Sequence, residues 1–255
     1  MLKSIQLLSV FLWTTLLANT VFAAENTSSA FESAIVSTAL HRASVATHPL
    51  VTIDGPSVRM TLFTPYDGYK TSDKTLGATI WATVEPELQN LCKAQVAKNK
   101  KISHEALTIW LTKLLGLPTK DASARRFVII DVPAIQAHYG STPSTIGIFR
   151  PCTDPRIGTH RDGTPACPKQ MDATDPYISS DFKTWFINNS IASFTLDAGM
   201  PWTEYGYTYN WNLDARTIDG ASEFVVMKNT PITVLANPND PSAAYISAEQ
   251  YCGVV

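Results

Sequence analysis

The chain has 255 residues, of which 45% are hydrophobic and 16% charged, with a formal net charge of −2. Its densest basic run is Lys98-Asn99-Lys100-Lys101, too short to grip nucleic acid or anionic lipid, so neither is an expected partner. The apolar content supports a sizeable core, and the length is that of a leader plus one large domain of about 230 residues.

Lys3, the apolar run of residues 5–22 and the small residues at Val21-Phe22-Ala23-Ala24 follow the pattern of an export signal. Residues 1–23 are therefore read as a signal peptide cleaved after Ala23, with the short basic start and small cleavage residues of the bacterial type. A permanent span needs about 20 predominantly apolar residues. Thr14, Thr15, Asn19 and Thr20 interrupt this run, so no stable membrane insertion is expected after cleavage. The exported domain, 24–255, is expected in the periplasm or outside the cell, beginning with a flexible segment over 24–30.

Within that domain, Phe31, Ile35, Leu40 and several alanines predict a helix over 30–45. Strands are predicted at 58–64, where Val58, Met60 and Leu62 alternate, and at 79–84. Pro86 opens a short helix carrying Leu88, Leu91 and Cys92. The clearest helix runs over 104–115, because Leu107, Trp110, Leu111, Leu114 and Leu115 recur on one stripe. Ser103 caps it, and Gly116 and Pro118 stop it. The run RFVIIDV at 126–132 predicts a buried strand, and 145–149 another. Ser180 is read as the cap of a helix carrying Phe182, Trp185 and Phe186. Strands at 223–227 and 231–235 flank the turn Lys228-Asn229-Thr230. Helices and strands without a regular βαβ alternation predict a single α+β domain, its sheet mixed or mainly antiparallel and flanked by several helices.

Four cysteines permit three pairings. In an oxidising compartment the favoured pair of bonds is Cys152–Cys167 with Cys92–Cys252, so that the fold is disulfide-stapled. The first closes a loop dense in Pro, Gly and Asp, worth about 3 kcal/mol by chain entropy. The second pins the C-terminal tail. No C-x-x-C pair or ordered histidine accompanies them, which excludes the usual zinc spacings. His104-Glu105 is not a zincin helix, since Thr108 occupies the place of the second histidine. Neither G-x-S-x-G, a Gly-rich phosphate loop nor an EF-hand loop occurs, so no metal and no cofactor is expected.

Three constellations remain. Residues 150–175 (RPCTDPRIGTHRDGTPACPKQMDATD) gather Arg150, Asp154, Arg156, His160, Arg161 and Asp162, mostly inside the expected Cys152–Cys167 loop. A stapled loop can hold a histidine and carboxylates for acid–base work or anion binding; it can equally be a solvated loop that needs its staple to fold. Residues 201–211 (PWTEYGYTYNW) are rich in aromatics. As one strand they would place Tyr205, Tyr207, Tyr209 and Trp211 on a single face, with Trp202 beside them. Such a face could stack on a small molecule, glycan or protein ligand, or cover the core.

The third is Ala221-Ser222-Glu223-Phe224-Val225-Val226 followed by Thr230-Pro231-Ile232-Thr233-Val234. A glutamate opening an apolar strand, then a turn and a second strand, resembles the C-terminal catalytic hairpin of arginine-specific ADP-ribosyltransferases. The resemblance would make Arg150 the strand arginine and Glu223 the glutamate. It departs from that family at Ala221, where a glutamate is required, and in lacking a Ser-Thr-Ser strand between the two. Two functional expectations follow. One is an exported binding or interaction protein using Trp202, Tyr205, Tyr207, Tyr209 and Trp211. The other is an extracytoplasmic hydrolase or transferase whose site joins Arg150, His160, Glu204 and Glu223.

Overall fold

A computed structural model describes residues 29–40, 49–137, 146–158, 167, 170–215 and 217–254. The expected signal segment 1–23 and His160 lie outside the described residues. The chain folds as one α+β domain around a nine-stranded antiparallel sheet. The strands are β1 (Ser57–Thr64), β2 (Ser72–Thr75), β3 (Ile80–Val84), β4 (Arg126–Pro133), β5 (Ile148–Phe149), β6 (Tyr207–Tyr209), β7 (Asp219–Val226), β8 (Pro231–Val234) and β9 (Tyr245–Ile246). Their order is β2-β8-β4-β1-β3-β7-β5, with β6 added to β7 and β9 to β4.

Side chains alternate across a strand, and here both faces are covered. Met60 and Leu62 of β1, Val128, Ile130 and Val132 of β4, and Phe224 and Val226 of β7 form one core with Ile53, Tyr69 and Ile157 from loops. Their neighbours Phe63, Phe127 and Ala221 turn to the opposite face. That explains why RFVIIDV is continuously apolar rather than alternating.

Helices cover the second face. They are α1 (29–40), α2 (Glu87–Lys98), α3 (His104–Leu114), α4 (Ser180–Ser193) and α5 (Ala248–Cys252), with a 3-10 turn at Thr119–Ala124. Leu88 of α2, Leu107, Leu111 and Leu114 of α3, and Tyr251 of α5 pack on Phe63 and Phe127. Phe182 of α4 packs with Phe149 and Val225 further along the sheet. A seam therefore separates α3 from α4 above β3 and β7.

Ser103 caps α3 by accepting from the Ala106 amide at 3.2 Å. Gly116 ends it at φ +66°, a left-handed conformation that glycine adopts without a Cβ penalty. The cap of α4 is Ser179, one residue before the expected Ser180. α2 is longer than the short helix expected after Pro86, and β5 occupies only the end of 145–149. The helix expected over 30–45 is described over 29–40.

Cys92 is bonded to Cys252 and Cys152 to Cys167, with Cα separations of 5.2 and 5.9 Å. The first ties α2 to α5, whose N-terminus carries a reciprocal Ser247–Gln250 capping box. Among the described residues, no helix is long and apolar enough to cross a membrane.

Candidate functional site

The segment over 201–211 is not one strand. Glu204 and Gly206 both take left-handed backbone, at φ 61° and 77°, and only Tyr207–Tyr209 pairs with β7. The turn is locked from within. Thr203 Oγ1 donates to the Tyr207 carbonyl at 2.6 Å, and the Tyr205 amide donates back to Thr203 Oγ1. A Cβ on Gly206 would stand 3.1 Å from Arg150 Cδ and 3.2 Å from Cys167 Sγ, so the turn lies against the disulfide.

This break redistributes the aromatic residues. Trp202, Tyr207, Tyr209 and Trp211 are 4%, 2%, 6% and 7% exposed, so these four rings form no outward stacking face. Trp211 meets Phe31 of α1 edge-on at 5.4 Å, with Lys113 Nζ 4.9 Å over its ring. Trp202 contacts Phe186 and Trp185 of α4 and Trp81 of β3 at 5.0, 6.0 and 6.0 Å. β6 has helices α1 and α3 on its flanks, which is why every residue of it is buried. Tyr205 is half-buried and lines a surface cleft.

That cleft, about 510 Å³, lies between α4, the 201–205 turn and the loop before α4. The volume is within the usual range of small-molecule sites. α4 carries two apolar stripes. Phe182, Trp185 and Phe186 pack inward, whereas Ile187 and Ile191, one turn apart, remain 56% and 67% exposed. Met171 and Phe186 add apolar surface, and Glu204 brings a carboxylate to the wall. Ser190 donates to Glu204 Oε1 at 2.6 Å, orienting that carboxylate across the cleft. Lys183 Nζ, also on the wall, donates to the Ala173 carbonyl at 3.1 Å.

The described residues of the polar stretch 150–175 include two arginines with internal partners. Asp154 is buried and accepts from the Arg156 amide and from Arg156 Nε, and Arg156 also reaches Asp175 at 3.1 Å. The hydrogen bond to Asp154 holds the Arg156 guanidinium above its ordinary pKa. Arg150 is 2% exposed. Its Nη2 donates to the Val51 carbonyl at 2.7 Å, its Nε to the Arg156 carbonyl at 3.3 Å, and it stacks over Phe224 at 4.7 Å. Burial pushes its pKa down to about 10, against the pull of Tyr207, Asp154 and Glu87. These contacts make Arg150 a bracket between β5, β7 and the loop at Val51.

Glu223 lies on β7 beside Phe224 and so projects to the other face of the strand from Arg150. Its Oε2 is buried without a hydrogen-bond partner. Desolvation pushes its carboxyl up to about 8. It lines a pocket of about 90 Å³ with Leu88 of α2 and with Leu115 and Leu117 just beyond α3, and among the described residues this pocket shares no lining residue with the α4 cleft. Arg150, Glu204 and Glu223 thus occupy three separate settings. Among the described residues, no group of three or more His, Cys, Asp or Glu is placed to hold a metal ion. No protein family matches the chain, nor does any curated protein or solved structure.

Proposed function

We propose that the protein is an exported binding protein that takes a small, mainly apolar ligand bearing one polar group into the α4 cleft. The observation that carries this reading is the pair Ile187 and Ile191, left exposed beside an oriented Glu204. Most helices of this length turn one apolar stripe inward and leave polar residues outside. A second apolar stripe next to a polar anchor is the usual composition of a ligand pocket. Of the aromatic segment, Tyr205 and Glu204 would meet the ligand, while Trp202 supports the wall from behind. Export is supported by the two disulfides, which persist in oxidising compartments.

The test is titration with anilinonaphthalene sulfonate, an amphipathic probe whose fluorescence rises in apolar clefts. Wild-type protein is expected to bind it, and the double variant Ile187→Asp/Ile191→Asp to weaken binding at least tenfold with an unchanged circular dichroism spectrum. Equal binding by the two proteins would remove the α4 cleft as the site.

A further inference from the structure

The pocket at Glu223 has a chemistry distinct from the α4 cleft. Thr61 of β1, Thr83 of β3 and Glu223 of β7 are direct cross-strand partners, so they form a polar row on the helix-covered face. Thr208 of β6 closes one end of the row, and Leu88, Leu115 and Trp81 supply apolar walls. A threonine hydroxyl has one proton to donate and can also accept. Here every one of those protons is committed elsewhere. Thr61 donates to Glu85 Oε1, Thr83 to the Thr61 carbonyl at 3.4 Å, and Thr208 to the Leu114 carbonyl at 2.8 Å. None is left to donate to Glu223, whose Oε2 is buried and unpartnered. Thr208 Oγ1 also accepts from the Ala221 amide at 3.0 Å, so what remains for a guest is the acceptor capacity of Thr61 and Thr83 and the Glu223 carboxyl group.

A guest complementary to that arrangement must be a donor, carry positive charge and have a short apolar body. We propose that the Glu223 pocket binds a small primary alkylammonium ion, its N–H groups on Glu223 and the threonine row and its carbon tail toward Trp81. The ring of Trp81, a lining residue 38% exposed, gives that carbon tail an apolar surface to pack on. The size agrees. A cavity of about 150 Å³ accepts benzene, so one of about 90 Å³ suits a guest of a few heavy atoms.

Binding is coupled to protons. Burial pushes the carboxyl up to about 8, and only the carboxylate pairs with ammonium. Among the described residues, no other titratable side chain lines the pocket. Charged groups on the surrounding elements have other partners: Glu85, just after β3, accepts from Thr61 and Tyr251, Glu87 of α2 accepts from Ser222, and Lys113 of α3 lies over Trp211.

Ethylammonium is the probe. Its three heavy atoms limit the best Kd to about 1 mM, so binding is read by NMR from the Trp81 indole N–H during titration to about 50 mM. Saturable binding is expected at pH 9, about 100-fold weaker at pH 6, where the carboxyl is protonated. Glu223→Gln is expected to bind at least tenfold more weakly at pH 9, and ethanol, the uncharged counterpart, not to saturate. Should Glu223→Gln fail to fold, the pH dependence of the wild type decides. Ethylammonium binding that is absent, independent of pH, or equal in the variant would overturn the proposal.

Discussion

Replacing Glu223 by glutamine isolates the energetic consequence of burying a carboxyl group on the helix-covered face of β7. In the unfolded chain the group ionises at its ordinary 4.5, and in the folded protein burial delays ionisation to about 8. Between those values the folded state holds the proton and the unfolded state has lost it, so stability falls as pH rises through the window. Below 4.5 both states are protonated and above 8 both are ionised, so this contribution is flat outside it. A shift of about 3.5 units at about 1.36 kcal/mol each amounts to at most about 5 kcal/mol, a large share of the 5–15 kcal/mol that typically separates folded from unfolded. Glutamine keeps the shape and never ionises. Glu223→Gln is therefore expected to match the wild type within about 1 kcal/mol at pH 5 and to exceed it by several kcal/mol at pH 9. Urea unfolding at both pH values, with disulfides intact, measures the difference directly. Parallel stability curves for the two proteins would refute the reasoning, since they would mean the carboxyl is solvated in the folded state.

Two further predictions concern the scaffold. Gly206→Ala places a Cβ in left-handed backbone against Arg150 and Cys167, so it is expected to cost about 2 kcal/mol, seen as a Tm lower by roughly 4–8 °C; an unchanged Tm would show that the turn can relax. Removing Cys92–Cys252, which closes a separation of 160 residues, is expected to cost about 5 kcal/mol. Removing Cys152–Cys167, with a separation of 15, is expected to cost about 3 kcal/mol. Denaturant midpoints of the two double cysteine-to-alanine variants rank them, and the opposite order would contradict the chain-entropy account.

Elements whose burial follows a simple period were legible in the sequence. α3 announces itself through Leu107, Leu111 and Leu114 with a serine cap and a glycine stop. β4 is legible through its apolar run, because helices cover one face and loops the other. α5 is not legible by period, since five residues carry none. Its signal was the Ser247-x-x-Gln250 capping box with Gly253 beyond it. The aromatic segment misled because alternation assumes an unbroken strand, and Glu204 and Gly206 turn the chain before β6 begins. A glycine between two tyrosines was the only local hint. The threonine row could not be read at all. Thr61, Thr83 and Glu223 become neighbours only through the register of three strands, which no local pattern encodes. The second stripe of α4 was visible as Ile187 and Ile191, but only packing shows that Phe182, Trp185 and Phe186 already fill the inward face.

The bond between Cys92 and Cys252 closes a covalent ring over the whole segment from 92 to 252. A protease that nicks any loop between those two residues produces fragments that remain covalently joined. On a denaturing gel such clipped protein travels as one band of full mass and separates only when a thiol reductant is added.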